Sequence, residues 1–173
     1  MNTTPKKFVL SKLSLGRLNG VDANLVKVVQ RAIEITPQDF MVVEGVRSKE
    51  QCYINYGKGR TVAQCTAKGV PAKYAQPKLA KVTWLNNPLS SKHVSGKAVD
   101  LVPYPVNWND LTKFDQVAKA MFAAAKELGV SIRWGADWDN DGNYREKVNM
   151  IRLILNFKED ISCLLKFKTT LPN

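Results

Sequence analysis

The chain has 173 residues, 45% of them hydrophobic and 24% charged, which suits one domain with a real hydrophobic core and leaves too little for two. No apolar run reaches the roughly 18 residues of a membrane-crossing helix, and Lys12 and Arg17 break up the N-terminal apolar residues, so neither a span nor a secretory signal is expected. The 26 Lys and Arg against 15 Asp and Glu give a net charge of +11, which favours anionic surfaces, but no zinc finger, basic zipper or RNP-like aromatic motif accompanies that charge, so it is the sole support for a nucleic-acid reading.

Residues 22–36 carry apolar side chains at 25, 28, 29, 32, 33 and 35, the spacing of a helix that Pro37 stops. Phe40-Met-Val-Val-Glu44 reads as a strand ended by Gly45. Ser48 is placed to cap a helix from Lys49 to about Tyr56. Residues 57–90 hold Gly57, Gly59, Gly69, Pro71, Pro77 and Pro88 among many lysines. They read as a long basic loop or insertion with at most short helical pieces.

Lys97-Ala-Val-Asp-Leu-Val102 is a second strand, ended by Pro103. A helix of about 110–128 follows, with Asn109 as its cap and Gly129 at its end. Its apolar face is Leu111, Phe114, Val117, Ala118, Met121, Phe122, Ala125 and Leu128. Val130–Trp134 is a third strand. The class is therefore α+β, a small antiparallel sheet with flanking helices. One domain is expected over 1–147, with 148–173 as an atypical tail.

Three cysteines, Cys52, Cys65 and Cys163, are an odd number in a chain with no expected signal. Cys52 and Cys65 could pair, but buried or inert thiols are the plainer expectation.

His93 is the sole histidine. It closes a loop, and Asp100 lies on the strand that follows, between Val99 and Leu101. A carboxylate in so apolar a strand is costly unless it is paired or metal-bound. A buried Asp–His or Asp–Arg pair and a metal site both satisfy that requirement.

Ser91-x-His93-x-x-Gly96-x-Ala98-x-Asp100 resembles the first metal motif of the LAS zinc peptidases, named for lysostaphin, D-Ala-D-Ala peptidases and the sonic hedgehog fold. More narrowly, the chain resembles phage endolysins that are L-alanyl-D-glutamate peptidases. The likeness runs over about residues 8–147. It includes Ala-Ile-Glu-Ile-Thr-Pro, Phe-Met-Val-Val-Glu-Gly-Val-Arg47-Ser, Asn-Trp-Asn-Asp-Leu and Lys-Glu-Leu-Gly-Val…Arg-Trp-Gly-Ala-Asp-Trp138.

The resemblance implies that His93 and Asp100 bind Zn2+. It also implies that Arg47 stabilises the developing oxyanion, and that Gln51 and Ser91 line the substrate cleft. Without it, Arg47 reads as an exposed cation at a helix start. A zinc hydrolase needs about three protein ligands, an open position for water and a carboxylate base. Such families complete the site near the C-terminus with an acidic residue, two spacers and a second histidine. No histidine follows position 93 here. Asp160-x-x-Cys163 has that spacing, but a motif match without its context is weak.

A change of reading frame accounts for the tail. One permitted coding of residues 146–158, with a single base restored, gives Glu-Lys-Gly-Glu-Tyr-Asp-Ser-Pro-His-Phe-Glu-Phe and a stop. That string places an aspartate at position 151 and a histidine at 154. The nucleotide sequence around codon 147 tests this expectation.

Asp137-Trp-Asp139-Asn-Asp141-Gly142 resembles the opening of a Ca2+ loop, but its twelfth position is Val148 instead of Glu. A solvated acidic turn is the plainer reading.

The expected function is a phage-type peptidoglycan endopeptidase, cutting the stem peptide between L-Ala and D-Glu and impaired by its missing ligand. It is expected to be monomeric, made in the host cytoplasm and active on the wall after release. Peptidoglycan and the anionic envelope are its expected partners, and nucleic acid is not. The alternative is a non-catalytic wall-binding remnant of the same fold.

Overall fold

A computed structural model describes residues 7–135 and the backbone of 152–155. The first helix, α1 (Lys12–Arg17), had no sequence expectation behind it. It is too short for periodicity to show, and it is set by the Ser11 side chain accepting from the Ser14 N–H. Asp22 caps α2 (Ala23–Ile35) through a 2.9 Å bond from the Asn24 N–H. Its buried stripe of Leu25, Val28, Val29, Ala32 and Ile33 is the one read from the spacing.

The strand β1 (Phe40–Glu44) leads into α3 (Lys49–Gly57), with Ser48 as its cap. After the insertion come β2 (Ala98–Pro103), α5 (Leu111–Glu127) and β3 (Ile132–Trp134). Asp110, not Asn109, caps α5, accepting from the Lys113 N–H. Asn109 belongs to the preceding turn, its own N–H donating to Asn107 Oδ1. The buried face of α5 is Phe114, Val117, Ala118, Ala120, Met121, Ala124 and Ala125. Leu111, Phe122 and Leu128 are exposed: Leu111 opens the helix, Phe122 lies to one side of the buried stripe, and Leu128 is the C-cap beyond its last turn.

Four strands form one antiparallel sheet in the order β1-β2-β4-β3. Residues 152–155, read from the sequence as part of the tail, supply β4 (Arg152–Leu155) between β2 and β3. Phe40, Val42, Val99, Leu101 and Trp134 join the apolar faces of α2 and α5 in the main core. Each fully buried Val or Leu there contributes about 1.5–3 kcal/mol relative to exposure.

The insertion has its own order. Thr61 and Gln64 form a reciprocal capping box at the start of α4 (Val62–Thr66). A 3-10 turn follows at Ala72–Tyr74. Tyr56, Cys65 and Val70 make a second apolar cluster. Arg60 is buried over the Tyr56 ring at 3.9 Å and donates 2.6 Å bonds to the Tyr56 and Thr83 carbonyls. It is therefore a structural tie across the loop rather than surface charge. Cys52 and Cys65 are buried free thiols, as expected. Cys163 and the calcium-like residues Asp137, Asp139 and Asp141 lie outside the described residues.

Candidate active site

The site forms where β1 ends beside the middle of β2. Val99 and Leu101 enter the core, so strand alternation sends Asp100 to the opposite face. Glu44 is the register partner of Asp100, reached through a bulge between Val42 and Glu44. A bulge re-aims the residue that follows it and is common beside functional sites.

The loop carrying His93 is stitched to the end of β1. His93 Nδ1 donates to the Gly45 carbonyl at 2.7 Å, and the Arg47 N–H donates to the His93 carbonyl at 3.1 Å. Because a carbonyl can only accept, the proton of a neutral ring sits on Nδ1 and Nε2 presents a lone pair. His93 is only 2% exposed, and its Nε2 makes no hydrogen bond. It faces Asp100 Oδ1 at 3.5 Å.

Gly96 lets this loop return into β2. Its φ is +69°, and a Cβ there would lie 2.4 Å from the Gly20 carbonyl oxygen. Gly96→Ala should therefore destabilise the fold by about 2–3 kcal/mol, from left-handed strain plus the clash. A denaturant midpoint equal to wild type would refute this close approach.

Arg47 is mostly buried and does not stand as an exposed cation. It donates from Nε to Glu44 Oε1 at 2.7 Å and from Nη2 to Glu44 Oε2. These hydrogen bonds raise the Arg47 pKa further above its ordinary value, and the guanidinium keeps its charge. Burial pushes the nearby Cys52 thiol up, with Arg47 partly offsetting it.

Among the described residues, Glu44, His93 and Asp100 each offer a donor atom, all within 4.8 Å of one another. One imidazole nitrogen and carboxylate oxygens make a donor set that zinc accepts. The bare Nε2 of a buried ring, held by a backbone carbonyl on its other nitrogen, is the usual posture of a ligating histidine. The residues present therefore fit a divalent metal.

Glu44 was not among the sequence candidates. Its only sequence signal was a charged residue closing an apolar strand three places before Arg47. Gln51 is exposed and bonds to Asn55 along its helix, outside the donor cluster. Ser91 sits in the turn before His93, its carbonyl accepting from the Val94 N–H. The register pairs residue 152 with Asp100 and residue 154 with Ala98. Position 154, where the alternative frame puts histidine, thus stands opposite Ala98, two places before Asp100 along β2.

Residues 6–76 and 72–153 match the family model described as phage L-alanyl-D-glutamate peptidase. The chain is 35% identical over 144 residues to the L-alanyl-D-glutamate peptidase of Escherichia phage T5, an alignment spanning 82% of this chain and 89% of that protein. Among solved structures it is similar in fold to the Serratia marcescens L-Ala D-Glu endopeptidase ChiX, with a TM-score of 0.59 and 24% identity over 88% of this chain and 92% of that one.

Proposed function

The chain belongs to the phage L-alanyl-D-glutamate peptidase family, and from that premise we propose that it hydrolyses the L-Ala–D-Glu bond of the peptidoglycan stem peptide with a zinc ion held by His93 and Asp100. The observation that carries this reading is the buried His93 Nε2, bare of hydrogen bonds and directed at Asp100.

Bound zinc would supply a water of lowered pKa and polarise the scissile carbonyl. His93 is oriented for this by Gly45, and Asp100 is held by the two strands beside it. Arg47 keeps a full positive charge in a largely buried setting. Donors still free on its Nη atoms are available to the oxygen that gains charge as the carbonyl is attacked. Glu44 fixes the guanidinium, so that stabilisation needs little reorganisation.

No histidine follows position 93, so the C-terminal motif that completes such sites is broken and cleavage by this chain is slow. The test is incubation of purified peptidoglycan with the chain, followed by identification of the new amino terminus. D-Glu amino termini that disappear with a chelator and return with zinc are expected. Wall binding with no released peptide would favour the non-catalytic remnant.

No helix among the described residues is long and apolar enough to cross a membrane. In this reading the chain acts on the wall after release from the cytoplasm. Lys68, Lys73, Lys78 and Lys81 are exposed along the insertion, close in sequence to Trp84, which is 75% exposed. These lysines support contact with an anionic envelope. Binding to whole cells should weaken several-fold between low and physiological salt; binding indifferent to salt would remove the electrostatic part of this reading.

A further inference from the structure

We propose that Glu44 is a third metal donor, giving one carboxylate oxygen to the ion held by His93 and Asp100 while the carboxylate keeps its hold on Arg47. The inference rests on the metal reading of His93 and Asp100 and adds a third donor where no histidine follows position 93.

The argument begins in the sheet. Glu44 and Asp100 are direct cross-strand partners. Two carboxylates in that relation repel, and such pairs are destabilising unless a cation lies between or beside them. Arg47 supplies one positive charge, bound side-on to Glu44. The donor atoms of Glu44, His93 and Asp100 lie within 4.8 Å of one another, a spacing that a single divalent cation can bridge. The buried His93 Nε2 independently points to a ligand at the same place.

Glu44 can serve both partners. A carboxylate has about four lone-pair positions on its two oxygens, and the side-on arginine uses two of them. Two carboxylates and a neutral imidazole balance a divalent ion, which leaves the charge of Arg47 for the substrate. Three protein donors leave a position open for water, as a catalytic zinc site requires. The shared carboxylate would also make the placement of Arg47 depend on metal loading.

The experiment is zinc competition against a chromophoric chelator, with the full chain and its Glu44→Gln, Arg47→Gln and His93→Ala variants. Wild type should take up one zinc per chain. Glu44→Gln, nearly isosteric, should weaken zinc at least about tenfold. Arg47→Gln should bind zinc as tightly as wild type or more tightly, because it removes a neighbouring cation and leaves the carboxylate. In the cobalt-loaded chain, Glu44→Gln should change the visible absorption and Arg47→Gln should leave its intensity nearly unchanged.

Unchanged zinc affinity in Glu44→Gln, with affinity lost in His93→Ala, would overturn the inference and leave Glu44 as an anchor for Arg47 alone. Equal losses in Glu44→Gln and Arg47→Gln would overturn it too, because the broken turn would then explain both. If His93→Ala binds zinc like wild type, the metal reading itself fails, and that failure is distinguishable from the other two.

Discussion

Replacing His93 by alanine should abolish stoichiometric zinc binding and reduce whatever peptide release the chain supports by at least about 100-fold. Loss of partners that merely orient a metal ligand lowers affinity or activity about 10–100-fold, and loss of the ligand itself should exceed that. The variant also breaks the bond to the Gly45 carbonyl and leaves a void where a 2% exposed ring stood. Some of the loss could then come from a looser loop. Asp100→Asn separates the two effects. It keeps the shape of the side chain and removes the charge, so it should weaken zinc by at least about tenfold while the denaturant midpoint stays close to wild type. Near-wild-type zinc affinity in both variants would mean that the buried His93–Asp100 pair is structural.

The second large effect is a gain. The double variant Ile151→Asp, Ile154→His should raise release of D-Glu-terminated peptides by at least about 100-fold, the ordinary contribution of a positioned acid or base. The argument comes from register. β4 runs beside β2, with residue 154 opposite Ala98, two places before Asp100. Position 151 lies outside the described residues, and the aspartate enters on the spacing of the alternative frame alone. With a second histidine present, Glu44 is no longer needed as a donor. Glu44→Gln should then alter zinc affinity much less in this background than in wild type, a non-additivity expected of residues that share one site. Unchanged peptide release from a folded double variant would count against both the register argument and the frame-change account of the tail.

The parts of the fold legible in the sequence were those written locally. The stripe on α2, the Ser48 cap and the strand Phe40–Glu44 follow from spacing and capping chemistry within a few residues. The cap of α5 was misplaced by one residue because Asn109 and Asp110 are both good caps, and only the backbone decides between them. The capping box of α4 was there to be read in Thr61-x-x-Gln64, but the glycines and prolines around it argued for a loop.

His93 and Asp100 were legible because their spacing lies within one loop and strand. Glu44 was not, because its relation to them depends on the pairing of β1 with β2 across a bulge. Arg47 was named through family likeness, and its side-on bond to Glu44 became visible once the turn after β1 was in place. β4 was hidden for the opposite reason: residues 148–157 are mostly apolar without alternation, so period alone could not place a strand in the middle of the sheet.

The most direct test is a crystal of the full chain grown with zinc, with diffraction measured on both sides of the zinc absorption edge. The expected result is an anomalous peak at about 2.0–2.2 Å from both His93 Nε2 and an Asp100 carboxylate oxygen. A peak elsewhere, or a site between His93 and Asp100 with no peak at saturating zinc, would contradict the account.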